Sequence, residues 1–508
     1  MDLTQLVGQC FMVGFQGTSA PQYLLEWLHE GRVGGIILFA RNVENPRQLA
    51  ALTRSLHAAA AFPLLISIDQ EGGTVARLRG GFTESPSAMA LARTGSEDNA
   101  RQAYAILGAE MRALGINWDY APVLDMAYNR ENPTVGTRSF GADPQVIGAY
   151  GAQAVRGLQS AGVAACAKHF PGLGNTAVDT HVALPTLSTR LEHVMSVDLL
   201  PYRAVMAEDV ASIMTTHTIF ADLDRDFPAT LSPVVVPRLL REYLGYEGVV
   251  TTDCMEMKAI ASHHSPGESA VMALLAGVDI VLFSHTREMQ QAAMTAVEDA
   301  LRSGRVPLQR VQQACARRQQ LIERYGITPA GISHASVNLP EHRATMRDIA
   351  GQAITLLAGA APEMTFDEGV AFVEFASLLE SDVMESGGQT GIKTLLDEMH
   401  MHPSYAALKP SGAVTGLEDA ISAAKRAKIT IIATRNAHLI PEQAARARQI
   451  AEHAHIVVHV CLRNPYDAGL VEASTVLASY GDAQPQIEAV LQALRGDIDV
   501  RKPEGNIT

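Results

Sequence analysis

The chain has 508 residues, 47% of them hydrophobic and 19% charged, which excludes a disordered polypeptide and is enough for two cores. Its formal net charge of -14 repels phosphate backbones, and with no Lys- or Arg-rich run this argues against nucleic acid as a partner. Five scattered cysteines (Cys10, Cys166, Cys254, Cys315 and Cys461) form no C-x-x-C pair, so they read as reduced thiols rather than a disulfide framework or a zinc site.

The chain opens MDLTQLVGQCFMVGF, without a basic segment ahead of its apolar residues, and a secretory signal is not expected. No apolar stretch of the length a transmembrane helix needs occurs, so the expectation is a soluble cytoplasmic protein without a membrane partner. From there to residue 330 one pattern repeats: an apolar run, a polar or glycine-rich turn, then a helical stretch. The runs are CFMVGF (10–15), GGIILFA (34–40), PLLISID (63–69), INWDYAPV (116–123), VAACAKHF (163–170), ASIMTTHT (211–218), GVVTTD (248–253) and VDIVLFS (278–284). Runs this apolar suit parallel strands buried on both faces. Segments such as QYLLEWLHEG and NPRQLAALTRSLHAAAA between them carry apolar residues at helical spacing. Eight strand–helix units predict an N-terminal (β/α)8 TIM barrel, with an open doubly wound sheet as the alternative.

After residue 325 the chain turns polar, with glycines and prolines, and 331–345 reads as a linker between a catalytic domain at 1–330 and a second domain at 346–508. The later runs AITLLAG, VAFVEFA, KITIIATR and HIVVHVCLRNP, separated by helical segments, predict a smaller C-terminal α/β sandwich domain with a mainly parallel sheet.

Residues with catalytic chemistry gather where the barrel runs end. Asp69 closes a run and is followed by the turn Glu71-Gly72-Gly73; alone, such an acid is as often a loop salt bridge or a helix cap. Lys168 and His169 end another run and lead into a glycine- and proline-containing loop with Asp179-Thr180-His181. One residue separates Asp179 from His181, so a turn brings carboxylate and imidazole together, fixing the tautomer and leaving the other ring nitrogen to exchange a proton. A metal held by His169, Asp179 and His181 is the competing reading, weakened by the lack of a well-spaced further ligand or an H-E-x-x-H pattern. Asp253 ends the GVVTTD run; in isolation it suits a nucleophile, a base, a ligand or a helix cap. In a barrel all these positions share the mouth.

Taken in order, IDQEGG-x-V-x-RL, TVGTRSFG, KHFPGLGNTAVDTH, MTTHTIFADLDRDFPATLS and V-T-T-D-C-M-E-M resemble segments of glycoside hydrolase family 3, most specifically its β-N-acetylglucosaminidases, and CLRNPYD resembles a segment of the longer bacterial members' second domain. The resemblance implies a retaining mechanism with Asp253 as nucleophile, His181 as acid/base and Asp179 as its partner. Lys168, His169, Asp69, Arg77 and Arg138 would bind the terminal sugar, with Asp125 a further sugar ligand and His217 and Met214 lining the pocket. Leu173, Asn175 and Thr74 depart from residues common in the family. No metal or organic cofactor is implied. The Asp-x-His pair favours N-acetylglucosaminidase over the family's β-glucosidases, which take a glutamate from the second domain. The implied substrates are GlcNAc-terminated glycosides, cell-wall muropeptides or chitooligosaccharides, which would place the enzyme in cell-wall recycling. A phosphorylase and a non-catalytic sugar-binding protein are the alternatives. The second domain is left to shape the entrance, support a homodimer or stabilise the barrel.

Overall fold

The computed structural model describes residues 1–176, 182–366, 369–377, 391–412 and 415–502. All eight expected runs become strands of one closed, parallel barrel: β1 (Phe11–Val13), β2 (Gly35–Leu38), β3 (Leu65–Ile68), β4 (Trp118–Asp119), β5 (Ala164–Phe170), β6 (Ser212–Thr215), β7 (Val249–Cys254) and β8 (Ile280–Phe283). They pair in chain order, and β8 closes on β1 through Phe11 opposite Val281. Side-chain alternation divides the apolar residues between two layers. Met12, Ile37, Leu65, Trp118, Cys166 and Leu282 fill the barrel interior. Their neighbours Phe11, Val13, Ile36, Ile66 and Val281 face outward onto the surrounding helices. Runs apolar at every position are therefore what this fold requires, each fully buried aliphatic side chain contributing about 1.5–3 kcal/mol.

The second sheet has six strands: β9 (Thr355–Ala358), β10 (Val370–Phe375), β11 (Ser404–Leu408), β12 (Ile429–Thr434), β13 (Val457–Cys461) and β14 (Thr475–Ala478). Their order is β9-β14-β13-β12-β10-β11, with every pair parallel except β9 with β14. Four of these strands correspond to the expected runs. The other two escaped the apolar pattern for physical reasons. β11 is an edge strand whose Ser404 and Ala407 face solvent, and β14 is only four residues long.

The segment expected as a linker ends in helix, since residues 340–345 open the helix Pro340–Ala353. Met346 and Ile349 of that helix belong to the barrel's core, whereas Ala350 belongs to the second domain's. The two domains are thus joined by shared apolar packing. Among the described residues no helix is long and apolar enough to cross a membrane.

Candidate active site

The strands' C-terminal ends surround a cavity of about 370 Å³, which holds a small ligand rather than a long polymer. Asp69 follows β3 directly. The chain then doubles back in a short ribbon, Gln70–Gly72 against Val75–Ala76. Gly72 and Gly73 make that reversal at φ +90° and +57°, and a Cβ on Gly73 would come within 2.5 Å of Ser87. The ribbon brings Arg77 back to Asp69 (Nη2 to Oδ2, 3.4 Å), while the Gln70 side chain accepts from the Arg77 and Leu78 amides.

Lys168, near the end of β5, is buried between two carboxylates. Its ammonium lies 2.7 Å from Asp69 Oδ1 and 2.7 Å from Glu71 Oε1. Glu71 also receives Nε and Nη2 of Arg138, each at 2.8 Å, and Arg138 Nη1 donates to the Thr134 carbonyl. Burial would raise the Glu71 pKa, but Arg138 and Lys168 outweigh it and hold the group well below the usual carboxylate range. Burial likewise opposes the Lys168 charge, and Asp69 and Glu71 reverse that, so the ammonium stays ionised. Lys168 engages two of an ammonium's three donors and Arg138 three of a guanidinium's five, which leaves N–H groups in fixed directions for a polyhydroxylated ligand. The sequence reading assigned Glu71 to a turn and missed it as the hub of this cluster. Its spacing two residues after Asp69 was the available signal.

His169 lines the cavity, with Nδ1 2.6 Å from Asp125 Oδ2. Asp125 Oδ1 accepts from the amides of His169 (3.3 Å) and Leu173 (2.6 Å). Asp125, expected to touch sugar, therefore sits behind the cavity wall, where it sets the imidazole's orientation. His217 differs from expectation in the same way. It is fully buried, is not part of the cavity wall, and spends both ring nitrogens on Thr230 Oγ1 (2.8 Å) and the Cys254 carbonyl (3.0 Å). Met214 does line the cavity.

Asp253 lies near the end of β7, lines the cavity and is half-buried. The register of β7 against β8 shifts between Thr251 and Cys254, a bulge of the kind that re-aims a side chain at a barrel rim. The Cys254 amide donates to Asp253 Oδ1 at 2.7 Å, and His217 holds the same residue's carbonyl. Cys254, the residue after Asp253, is thus held at both its amide and its carbonyl. Glu256 also borders the cavity, but its carboxylate accepts from the His285 and Thr286 amides that open the helix Arg287–Arg302. Asp179 and His181 lie outside the described residues. Among those described, no cluster of three or more His, Cys, Asp or Glu side chains is arranged to hold a metal ion.

Behind the ribbon, Asp119 is fully buried; its Oδ1 accepts from the Gln70 amide at 2.9 Å. Burial raises its pKa to about 8, opposed by that hydrogen bond and by Lys168 and reinforced by Asp69 and Glu71. The folded state holds this proton where the unfolded chain has released it, so stability falls as pH rises from about 4 to about 8. Asp119→Asn cannot ionise. Its denaturation midpoint, measured against pH, is expected to lack that decline, whose slope in the wild type is up to about 1.4 kcal/mol per pH unit. Parallel curves for the two proteins would show that Asp119 is ionised throughout.

Residues 3–321 match the family model described as the glycosyl hydrolase family 3 N terminal domain. The chain belongs to glycoside hydrolase family 3. Among its relatives, the β-hexosaminidase of Thiobacillus denitrificans is 37% identical over 277 residues, 53% of this chain and 77% of that protein. A β-N-acetylglucosaminidase/β-glucosidase of Cellulomonas fimi is 28% identical across 96% of this chain and 91% of its own length. The solved structure of a family 3 β-N-acetylglucosaminidase from Paenibacillus sp. str. FPU-7 superposes with a TM-score of 0.92 at 35% identity, covering 99% of each chain. Both domains of this family 3 chain are therefore matched in one protein.

Proposed function

We propose that this family 3 β-hexosaminidase is an exo-acting, retaining β-N-acetylglucosaminidase that removes terminal GlcNAc through a covalent glycosyl–Asp253 intermediate. The observation that carries the reading is a one-sugar cavity with Asp253 at its rim and Lys168, Arg77 and Arg138 held rigid around it by Asp69 and Glu71. Such a site grips a ring through hydroxyl and amide oxygens and sets a carboxylate to meet the positive charge that develops at C1.

In the first step an Asp253 oxygen bonds to C1 as the C1–O bond to the leaving group breaks. His181, ionised and supported by Asp179, gives that oxygen its proton. In the second step neutral His181 takes a proton from water, the resulting oxygen bonds to C1, and the ester to Asp253 breaks. Both inversions restore the β configuration. Asp125 keeps His169 facing the sugar through one ring nitrogen. GlcNAc-terminated muropeptides and chitooligosaccharides fit this cavity as substrates, with the aglycone outside the mouth.

The test is hydrolysis of p-nitrophenyl β-GlcNAc followed by proton NMR, with and without inorganic phosphate. The first sugar seen is expected to be β-GlcNAc in both. Initial formation of the α anomer would sink the retaining mechanism, and a sugar phosphate as main product would make the enzyme a phosphorylase.

A further inference from the structure

The barrel segment 127–138, between β4 and the helix Pro144–Ser160, has two faces. Its inner face reaches the site. Asn132 Nδ2 and Asn129 Nδ2 donate to the Thr176 carbonyl at 2.9 and 3.2 Å, and Thr176 precedes Asp179 by three residues in the chain. Asn132 Oδ1 in turn accepts from the amides of Thr134 and Val135, which stiffens the turn that presents its amide group.

The outer face rests on the second domain. Ala127 and Val135 share a buried apolar cluster with Cys461, Val476 and Ala478. The Asn464 side chain packs so closely on Gly136 (φ +39°) that a Cβ there would come within 2.8 Å of Asn464 Nδ2. The Arg130 guanidinium lies 5.2 Å from the Tyr466 ring centre, and His438 meets that ring edge-on at 5.3 Å. His438 Nε2 lies 3.2 Å from the Arg130 carbonyl, and Nδ1 lies 2.8 Å from Asp467 Oδ1. Asp467 is itself immobilised by the Thr434 hydroxyl (2.7 Å) and the amides of Ala437 (2.9 Å) and His438 (3.0 Å). Burial would raise its pKa, yet His438 and these donors hold it below the ordinary value, so a buried anion anchors the imidazole.

We propose that His438, seated on Asp467 and flanked by Tyr466 and Asn464, is a positioning residue through which the second domain holds segment 127–138, and with it the stem that leads to the acid/base pair. The inference rests on the reading of His181 as acid/base. Arg138 has an independent anchor in Glu71, so loosening the latch falls on proton delivery more than on sugar binding.

The experiment compares kcat/KM of the full chain on 2,4-dinitrophenyl β-GlcNAc, whose leaving group departs without a proton, and on N,N′-diacetylchitobiose, whose leaving group needs one. His438→Ala is expected to lose about tenfold on chitobiose and less than about twofold on the aryl glycoside, a modest displacement of a group that contributes 10²–10⁴-fold. Equal losses on both substrates, or none, in a variant with wild-type circular dichroism would overturn the latch. His181→Ala runs alongside: if it too ignores the leaving group, the acid/base assignment fails and the latch with it. If His181→Ala discriminates and His438→Ala does not, the latch alone fails. Should His438→Ala not fold, Tyr466→Leu removes the ring beneath Arg130 and is held to the same outcomes.

Discussion

Asp253→Ala is expected to reduce kcat/KM on p-nitrophenyl β-GlcNAc by about 10,000-fold or more, because no other group in the site takes over bond formation to C1. The fold should survive. Asp253 is half-buried at the rim rather than part of the core, and its Oδ1 accepts from the amide of the next residue. The vacated space then admits a small external nucleophile, and azide is expected to restore turnover with formation of an α-glycosyl azide. The inverted product is the decisive feature, since it requires attack at C1 from the side where Asp253 stood. A wild-type 2-fluoro sugar adduct traced to a peptide lacking Asp253, or an Asp253→Ala variant within tenfold of wild type, would remove the foundation of the proposed mechanism.

Glu71→Gln is expected to be nearly as damaging by a different route. The substitution keeps the shape and removes one charge from a site where Lys168 and Arg138 are both buried. Stripping one partner from a buried ion network costs about 3–5 kcal/mol, because the surviving charges stay out of water without compensation. The unfolding midpoint in urea should fall accordingly. Lys168 would then lean on Asp69 alone, and a shift of about 1 Å in its ammonium or in Arg138 is enough for about 100-fold in kcat/KM. The pH dependence has a definite sign. The folded-state pKa of Glu71 is depressed below its ordinary 4.5, so its contribution to stability is present above about pH 4.5 and is lost as pH falls toward the folded value. The variant's acid limb should be flatter than the wild type's in that range. A Glu71→Gln protein with unchanged midpoint and activity would show that Asp69 alone carries the charge of Lys168.

Asp125 and His217 show why some assignments could not be made from the chain alone. Both follow strands and both are of a chemical type that binds sugars. Yet His169 and the Leu173 amide turn the Asp125 carboxylate away from the cavity, and Thr230 and the Cys254 carbonyl occupy His217. Whether a polar side chain reaches a ligand depends on which neighbours compete for its hydrogen bonds, and those neighbours lie 13 to 48 residues away. Glu71 is the converse case. It looked like part of a glycine turn, and only the arrival of Lys168 from β5 and Arg138 from the segment after β4 makes it the centre of the charge cluster.

The barrel was legible because its requirement is local: a strand buried on both faces must be apolar at nearly every position, and eight such runs at regular spacing leave few alternatives. The placing of Asp69, Lys168, His169 and Asp253 at one mouth follows from the same rule, since each stands at a strand's C-terminal end. Contact between distant segments was not legible. The edge strand β11, the helix shared by two cores, the pairing of Glu71 with two cations and the seating of His438 against Arg130 all join residues far apart in the chain. Local periodicity records how much of a side chain's surface is buried, and it carries no record of the partner that buries it. That pairing is decided only when the chain closes on itself.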